Sequence, residues 1–429
     1  MRKGFRGRLF DFDKNATVDN AEEKYRYFDD GLLIINNGIV ECAGDYSSLI
    51  RKTNTDFELT SFDRCFIMPG FIDTHVHSVQ TKAIASFGKE LLDWLDNYIF
   101  PAEKNFENPD YATIHTAFFV DQLLKNGTTT AVVFPSVHET SADALFRIAT
   151  ERNMRIITGN IWMDRNAPAN LLKTPGESAR ISEKLIAKYH NRGRTKFAVT
   201  PRYAITSSPK ALETAATLFH KYDDLYLQTH ISENRKEVQM VNHSYNNHRN
   251  YLDVYDDFGL LTPHTILGHG IYLQNSELKR IAETGTSIAH CPTSNLFLGS
   301  GMFNISKTLG YEIPVSLGSD VGAGTSFSML QTLQDAYKIS ALNATPLHAL
   351  QAFYLITLGA AKTLKLENHI GNFDKGMEAD FVVIDPKENP LLQYRIEENN
   401  SVEDILFSLM ILGDDRIIRH TYLMGKKEI

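Results

Sequence analysis

The sequence predicts an α/β fold: a (β/α)8 barrel of the TIM type with a small β-sandwich domain built from both termini. Eight short apolar runs rich in β-branched residues alternate with helical segments through the middle of the chain. Both ends of the chain are rich in strand-forming residues. A length of 429 residues suits a barrel with an appended domain. We therefore expect residues 1–66 and 371–429 to form the small domain and residues 67–370 the catalytic barrel.

Each of the eight predicted barrel strands ends at a recognisable position. They end near His77, Phe134, Asn160, Thr200, His230, His269, His290 and Asp320. Between them, Asn108-Pro109 and Ser208-Pro209 each place a capping residue before a proline at the first helical position, which is a helix start signal. Ser141 is expected to open a further helix. Strands that alternate with helices run parallel, so their carboxyl ends meet at one rim of the barrel.

The two ends of the chain carry a different pattern. Asn37-Gly38 lies between two strand-like segments and predicts a hairpin turn. Residues 379–384 and 416–422 form two more strand-like runs near the C-terminus. No Gly/Ser-rich linker separates the ends from the middle, so we expect both ends to pack against the barrel as one domain.

Composition excludes several classes of protein. The net charge is −8 and the 44 Lys and Arg residues are spread along the chain, which argues against a nucleic-acid-binding face. Cys42, Cys65 and Cys291 are too few and too far apart for a disulfide framework or a thiolate zinc site. No window approaches the roughly 18 apolar residues of a membrane span, and the basic N-terminus lacks the apolar core of a signal peptide. A cytoplasmic protein with no membrane or nucleic-acid partner is expected.

Five residues with metal-binding side chains lie at or just past the ends of predicted strands. They are His75, His77, His230, His269 and Asp320. Alternate residues of a strand point to the same face, so the first two imidazoles can share one ion. Imidazole nitrogen suits zinc or iron, and a carboxylate adds one charged ligand. The pattern therefore predicts a catalytic metal site at the barrel rim, with zinc preferred and iron or manganese left open.

An ion with four or five such ligands retains water, whose pKa it lowers toward neutrality. Asp320 lies beside the ion and is expected to accept the proton of that water. Two roles stay open for His269, which either binds the ion or hydrogen-bonds its water. The pattern is typical of a metal-dependent hydrolase.

The run from Pro69 to His77, these ligands and the segment Leu317-Gly318-Ser319-Asp320 resemble the amidohydrolase superfamily. Binuclear members of that superfamily carry a carboxylated lysine at the end of the fourth strand. Here the fourth strand has only Lys196, which lies at its opposite end. The resemblance therefore implies the single-metal type, with one ion per subunit, that is typical of nucleobase deaminases.

Further segments are similar to the guanine-deaminating members of the superfamily. They are residues 74–80, 92–94, 98–103, 126–130, 163–166, 200–203, 229–234, 291–296 and 320–327. The resemblance implies zinc-dependent hydrolytic deamination of guanine to xanthine and ammonia, a small-molecule purine substrate and a homodimer. The unrelated cytidine-deaminase fold needs H-x-E and P-C-x-x-C, and this chain has no such cysteine pair.

The same resemblance assigns roles in catalysis and substrate binding. Glu233, three residues past His230, is expected to protonate the purine ring and then the leaving amine. Arg202 can only donate hydrogen bonds, so it would favour the O6 acceptor of guanine over the N6 amine of adenine. Gln80 offers both ends of an amide to the edge of a base.

Aromatic residues and two of the ligands complete the expected binding site. Trp94 and Tyr203 are expected to stack on the purine or to wall the pocket. His77 and His230 are expected to face the substrate as well as the ion. Two alternatives stay open: deamination of another heterocycle such as 8-oxoguanine, a pterin or a triazine, and a metal-free interaction protein on the same barrel.

Overall fold

The computed structural model describes residues 1–54, 56–88, 90–397 and 401–429. Its strands form two sheets. One sheet contains β1 (Arg2–Phe12), β2 (Tyr25–Asn36), β3 (Ile39–Asp45), β4 (Glu58–Pro69), β14 (Phe381–Ile384), β15 (Ile418–Leu423) and β16 (Lys426–Lys427). The other contains β5 (Phe71–His77), β6 (Thr128–Phe134), β7 (Arg155–Thr158), β8 (Ile161–Trp162), β9 (Thr195–Pro201), β10 (Tyr226–Ile231), β11 (Thr265–His269), β12 (Ser287–His290) and β13 (Val315–Leu317).

The second sheet is the predicted barrel. Its strands are parallel and follow the order β13-β12-β11-β10-β9-β7-β6-β5, with the short β8 beside β9. Past the end of β13, the backbone N–H of Asp320 donates to the carbonyl of His75 in β5 over 2.9 Å, which brings the last strand back to the first. The strands end where the apolar runs end, so the predicted TIM-type barrel is confirmed.

Apart from α1, which packs against β2 and β3 of the first sheet, the helices of the described residues surround the barrel and cover its rim. They are α1 (Tyr46–Lys52), α2 (Leu91–Trp94), α3 (Phe100–Glu103), α4 (Pro109–Lys125), α5 (Glu139–Arg152), α6 (Pro175–Tyr189), α7 (Pro209–Phe219), α8 (Arg235–Ser244), α9 (Tyr251–Asp257), α10 (Asn275–Thr284), α11 (Pro292–Phe297), α12 (Ile305–Leu309), α13 (Met329–Leu342), α14 (Ala349–Leu355), α15 (Leu358–Thr363), α16 (Pro390–Ile396) and α17 (Val402–Leu412).

The predicted helix starts can be compared with these bounds. The side chain of Asn108 accepts from two backbone N–H groups at the start of α4, and the hydroxyl of Ser208 caps α7 by accepting from the backbone N–H of Ala211. The prediction that Ser141 opens a helix was wrong, because α5 begins at Glu139. The Ser141 hydroxyl is buried and accepts instead from the backbone N–H of Ser136 at 3.2 Å.

The first sheet joins the two ends of the chain, as predicted. Its order is β16-β15-β14-β4-β1-β2-β3, so strands from the C-terminal region pair directly with β4. The Asn37-Gly38 turn connects β2 to β3, and both residues have positive φ. Phe5 packs edge-on against Phe381 and Tyr422, with ring centroids 4.9 and 5.2 Å away, in a core of its own.

Buried ion pairs connect this sheet to the barrel. Arg194, just before β9, pairs with Asp380 and lies 2.8 Å from the Oε2 atom of Glu378. Arg155, the first residue of β7, also pairs with Glu378. Both arginines lie at the amino end of the barrel strands, opposite the rim where the predicted ligands lie. No helix of the described residues is long and apolar enough to cross a membrane.

We propose the division into residues 1–66, 67–370 and 371–429 as the domain boundaries. β4 runs through the first boundary and leads directly into β5, which begins at Phe71. The small domain and the first barrel strand therefore share a continuous extended segment. This segment delivers His75 and His77 to the rim.

Candidate active site

The predicted site residues meet in one cavity at the carboxyl ends of the barrel strands. Its walls are formed by His77, Gln80, Leu91, Trp94, Leu95, Arg202, Tyr203, His230, Glu233, His269, Asp320 and Ala323. Of the ten predicted residues only His75 is not in the wall. His75 is buried behind the wall, and its Nε2 atom lies 3.4 Å from Oδ1 of Asp320.

Glycines on two other strands make room for the His75 ring. A Cβ on Gly268 in β11 would lie 2.5 Å from Cε1 of His75, and one on Gly318 would lie 2.6 Å from its Cβ. Contacts this short are excluded for real side chains, so both neighbours must lack a Cβ. The ring is thereby held in the barrel core with its Nε2 atom facing the cluster.

The ligand-type residues at the ends of two strands share a backbone conformation. His269 and Asp320 have φ values of 70° and 49°, in the left-handed region that non-glycine residues rarely adopt. Ser232, which follows β10, has a φ of 49°. Such residues cluster at functional sites, where the surrounding fold compensates for their cost. Here these residues make the backbone turn away from the rim at, or next to, the positions that carry the functional side chains.

Hydrogen bonds on the far side fix the tautomers of two histidines. Nδ1 of His230 lies 2.8 Å from the carbonyl of Arg202, and Nδ1 of His269 lies 2.9 Å from Oδ1 of Asn295. Each oxygen is an acceptor, so each Nδ1 carries the proton and donates. The lone pair of each ring is therefore on Nε2, which faces the centre of the site.

The Nε2 atoms that face the centre of the site cannot all be satisfied by hydrogen bonds to one another. Nε2 of His77 lies 3.2 Å from Nε2 of His230, and the His230 nitrogen carries a lone pair and cannot donate. Nε2 of His75 and of His269 are buried without a hydrogen-bond partner among the described residues. Unpaired buried nitrogens that converge with a carboxylate fit a bound cation, and nitrogen with oxygen suits a divalent ion such as zinc. The site therefore has the donor set of a metal centre.

Burial and charge act in opposite directions on these groups. Burial lowers the pKa of His77 to about 3 and that of His230 well below its ordinary value. Burial alone would raise the pKa of Asp320, but the rings of His75 and His77, with Nε2 atoms 3.4 and 3.3 Å from its Oδ1, outweigh burial and hold that pKa well below its usual range. Since burial also lowers the pKa of His75, the rings of His75, His77 and His230 are neutral beside one carboxylate, the protonation state that a metal ion requires.

Cys291 also belongs to this group of side chains. Its thiol lies close enough to His75, His269 and Asp320 to share an ion, with all four ligand atoms within 4.8 Å of one another. Burial raises the pKa of the thiol well above its ordinary value, and the charge of Asp320 adds to the effect. A protonated thiol is a poor ligand, so the histidines and the carboxylate are the better donors.

Glu233 is held at the mouth of the site by the start of α8. Its backbone N–H donates to Oε2 of Glu237 at 2.7 Å, and Glu237 also closes the capping box of α8. The Glu233 carboxyl lies 3.5 Å from Nε2 of His269 and accepts from the hydroxyl of Ser300 at 3.4 Å. Burial, then the charges of Asp320 and Glu237, raise its pKa well above the ordinary value. Such a carboxyl keeps its proton to a higher pH than an ordinary glutamate does, which suits a proton donor.

The polar part of the cavity wall includes Arg202 and Gln80, and the buried carboxyl of Glu103 lies behind them. Arg202 follows β9 and donates through Nη1 to Oε1 of Glu103 at 2.6 Å. Nε2 of Gln80 lies 3.5 Å from the same oxygen, while its Oε1 accepts from the backbone N–H of Gly322 at 3.3 Å. Arg202 and Gln80 are 3 % and 2 % exposed, so hydrogen bonds from this wall are shielded from solvent.

Trp94 and Tyr203 form the apolar part of the wall together with Leu91 and Leu95. Trp94 is 1 % exposed and Tyr203 is 6 % exposed, and burial raises the pKa of the Tyr203 hydroxyl. The short helices between residues 91 and 103 carry Trp94 and both leucines over the cavity. The wall is thus aromatic and aliphatic on one side and polar on the other, as ligand pockets generally are.

Three buried residues of the site were missed by sequence reasoning. Glu103 pairs with Arg202, Asn295 orients His269, and Asp73 accepts from the backbone N–H of Ser319 at 3.0 Å and of His75 at 3.2 Å. Asp73 carried a positional signal, because it lies two residues before His75 on the same face of a strand. Glu103 and Asn295 fall within segments that resemble the family, but the resemblance gave them no role. Glu103 and Asn295 lie in short helices of the rim, where no periodicity marks them.

A metal-capable group of histidines and a carboxylate at the carboxyl end of a (β/α)8 barrel defines a class of metal-dependent barrel enzymes. The sequence places the chain within that class. Residues 66–427 match the model of the amidohydrolase family, and this chain belongs to that family.

Relatives cover nearly the whole chain. The guanine deaminase of Escherichia coli (strain K12) is 45% identical over 427 residues, which is 99% of this chain and 97% of the relative. A solved E. coli guanine deaminase structure has a TM-score of 0.95 at 43% identity, covering 100% of this chain and 99% of the other. The guanine deaminase of C. acetobutylicum, solved with guanine bound in its active site, has a TM-score of 0.90 at 31% identity and covers 100% of both chains.

Proposed function

We propose that this chain hydrolyses guanine to xanthine and ammonia with zinc as its metal ion. The observation that carries the proposal is a single cavity in which Arg202 and Glu233 flank the histidine–carboxylate group. The relatives named guanine deaminase support the choice of substrate, because they span almost the full length of the chain. The family supports hydrolysis as the reaction type.

Recognition of guanine rests on the polar wall. Arg202 uses Nη1 for Glu103 and has no other side-chain hydrogen bond among the described residues, so its remaining donors are available to the O6 acceptor of guanine. Adenine would place a second donor, its N6 amine, against the guanidinium. An unpaired buried charged donor costs on the order of 2–3 kcal/mol, enough to reject adenine by about a hundredfold.

The rest of the pocket suits a flat aromatic base. Trp94 and Tyr203 provide apolar contact with the purine, and Gln80 offers an amide to its edge. His77 and His230 line the same cavity and would face the carbon that bears the leaving amine. The base would be held between the apolar side of the wall and the metal-capable group.

The reaction replaces the 2-amino group of guanine by oxygen from water. When bound, a divalent ion would lower the pKa of water and polarise the reacting carbon. Asp320 takes the proton of the attacking water as the C–O bond forms. Glu233 donates its proton to the neighbouring ring nitrogen, takes up the proton of the new C2 hydroxyl as the C=O bond forms, and delivers that proton to the amine, so that the C–N bond breaks and neutral ammonia leaves. The proton held by Asp320 then returns to Glu233 and restores both carboxyl groups for the next turnover.

His75, His77, His230 and Asp320 would hold the ion, and His269 either joins them or hydrogen-bonds the water. Stoichiometric zinc by elemental analysis of the purified protein, with loss of activity in chelator and recovery with zinc, is the expected result. Recovery with iron or manganese alone would replace zinc in this proposal. Full activity of protein that contains no metal would overturn metal dependence.

The substrate is tested by following guanine absorbance and ammonia release with purified protein. We expect guanine to be turned over with a kcat/KM at least about a hundredfold above that of adenine. 8-Oxoguanine, a pterin and a triazine complete the panel. A higher kcat/KM on any of them would reassign the substrate, and a metal-loaded protein inactive on all of them would favour a non-catalytic barrel.

We also propose that the chain forms a homodimer. This proposal rests on resemblance to the family. Light scattering coupled to size-exclusion chromatography should give about twice the chain mass of 48.5 kDa. A monomer at micromolar concentration would overturn it.

A further inference from the structure

Glu103 is a buried carboxyl that the mechanism above does not use, and it contacts two residues of the cavity wall, Arg202 and Gln80. It ends α3 and is 0 % exposed. Its Oε1 atom accepts from Nη1 of Arg202 at 2.6 Å and lies 3.5 Å from Nε2 of Gln80. Its Oε2 atom has no hydrogen-bond partner among the described residues. An acid buried to this degree, with one oxygen unpaired, is costly unless the neighbouring charge compensates for it.

The charge of Glu103 balances the charge of Arg202. The two side chains are 0 % and 3 % exposed. A guanidinium buried alone would carry a full positive charge into a cavity that is proposed to receive a neutral base. Paired with Glu103, the same group presents directional donors without net charge. It can then recognise a carbonyl oxygen rather than an anion.

Glu103 also restrains the direction in which Arg202 and Gln80 point. One carboxylate oxygen lies within hydrogen-bond reach of both side chains, and the second end of Gln80 is tied to Gly322. The cation of Arg202 lies 5.6 Å from the ring of Phe100, which comes from the same α3 helix. The short helix α3 thus carries both the carboxylate that balances the charge of Arg202 and an aromatic ring close to its guanidinium.

We propose that Glu103 is a positioning residue that makes Arg202 and Gln80 selective for the 6-oxo group of the base, an inference that rests on the proposed guanine deamination. Removing its charge would leave Arg202 uncompensated and free to turn. Guanine would then bind less tightly. A base that has the 2-amino group but no 6-oxygen would not depend on Arg202 and would be spared.

The test compares guanine with 2-aminopurine, which keeps the 2-amino group and lacks O6, in Glu103→Gln and wild type. We expect kcat/KM on guanine to fall on the order of a hundredfold, mainly through KM, and kcat/KM on 2-aminopurine to change less than about threefold. Glu107→Gln, an exposed glutamate four residues along the chain, is the matched control and should match wild type.

A double-mutant comparison separates positioning from general damage. If Glu103 acts through Arg202, Glu103→Gln should add less than about threefold to the loss already caused by Arg202→Met. Equal loss on both substrates, or independent losses in the double variant, would assign Glu103 a merely structural role. Glu103→Asp, which keeps the charge and shortens the reach, gives the same substrate comparison where Glu103→Gln does not fold.

The outcomes also separate this inference from the proposed function. Wild type that releases ammonia from guanine, together with a Glu103→Gln variant of unchanged KM, would overturn only the role of Glu103. Metal-loaded wild type that releases ammonia from neither base would overturn the deamination itself and the positioning role with it.

Discussion

At the scale of single residues, the site depends on partners that lie behind the reacting groups. The backbone carbonyl of Arg202 and the side chain of Asn295 decide which nitrogen of His230 and His269 is free. Glu237 holds the backbone of Glu233. Since each partner is buried, solvent cannot replace it when it is removed. Substitutions at Asn295 and Glu237 should therefore change function without touching a proposed ligand or the substrate.

Glu233→Gln tests the proposed proton transfer. The amide keeps the shape of the side chain but cannot give up and regain a proton, so we expect kcat on guanine to fall at least about a thousandfold with little change in KM. Zinc content should equal that of wild type. Substantial residual turnover would refute the role of Glu233 as proton carrier.

Asn295→Ala tests the orientation of His269. Without the Oδ1 acceptor, the ring is free to turn and to exchange tautomers, so we expect the apparent zinc affinity to fall roughly 10–100-fold. Competition with a fluorescent chelator measures this change. Asn246→Ala, at an exposed asparagine, is the control. An unchanged zinc affinity would show either that packing alone orients His269 or that His269 hydrogen-bonds the water and does not bind the ion.

At the scale of elements, the start of a helix has two different uses in this protein. Asn108 caps α4 on the outside of the barrel, where the cap serves stability. Glu237 closes the capping box of α8 and also fixes the backbone of Glu233, so this second cap adjoins the site. A helix cap therefore affects function only where it lies next to the rim of the barrel.

A pair of variants separates these two uses. Asn108→Ala and Glu237→Ala should each lower the free energy of unfolding by about 1 kcal/mol or more, because each removes a helix cap. Only Glu237→Ala should also lower kcat on guanine, by on the order of tenfold or more. Chemical denaturation and steady-state assays measure the two effects. A comparable loss of kcat in Asn108→Ala would contradict this separation.

Strand ends, helix starts and rim residues differ in how well the sequence predicts them. Strand ends were predicted closely, because apolar β-branched runs stop where a buried parallel strand stops, and the ligands follow at that rim. The start at Ser141 was wrong because its hydroxyl serves the neighbouring loop rather than the helix. Glu103 was not predicted, since its burial depends on where three short helical turns place α3 over the barrel, and no sequence period records that placement.

At the scale of the whole molecule, buried charges connect the terminal sheet to the barrel. Arg194 and Asp380 have side chains that are 7% and 3% exposed, and their pairing spans the two units. Breaking a buried pair by removing one partner leaves the other charge uncompensated, which is commonly more costly than removing both. The sheet and the barrel should therefore unfold together.

Arg194→Met tests this coupling. We expect the free energy of unfolding to fall by about 3–5 kcal/mol, while a double variant with Asp380→Leu as well should recover part of the loss. Denaturant unfolding followed by circular dichroism measures both. The catalytic constants of the folded variant should stay near those of wild type, because the pair lies at the end of the barrel away from the site. A change below about 1 kcal/mol would mean that solvent replaces the pair.

The barrel seam has a consequence for the order of folding. Asp73 in β5 accepts from the backbone of Ser319, 246 residues later, and Asp320 bonds back to His75 across the same seam. Contacts so distant along the chain are slow to form, because the intervening loop must first be closed. The complete ligand set therefore arises only when the first and last barrel strands have met. In refolding experiments, zinc uptake should lag behind the recovery of helical signal, and uptake that keeps pace with that signal would contradict late closure. Metal binding would then report the completed barrel and, by mass action, hold it closed.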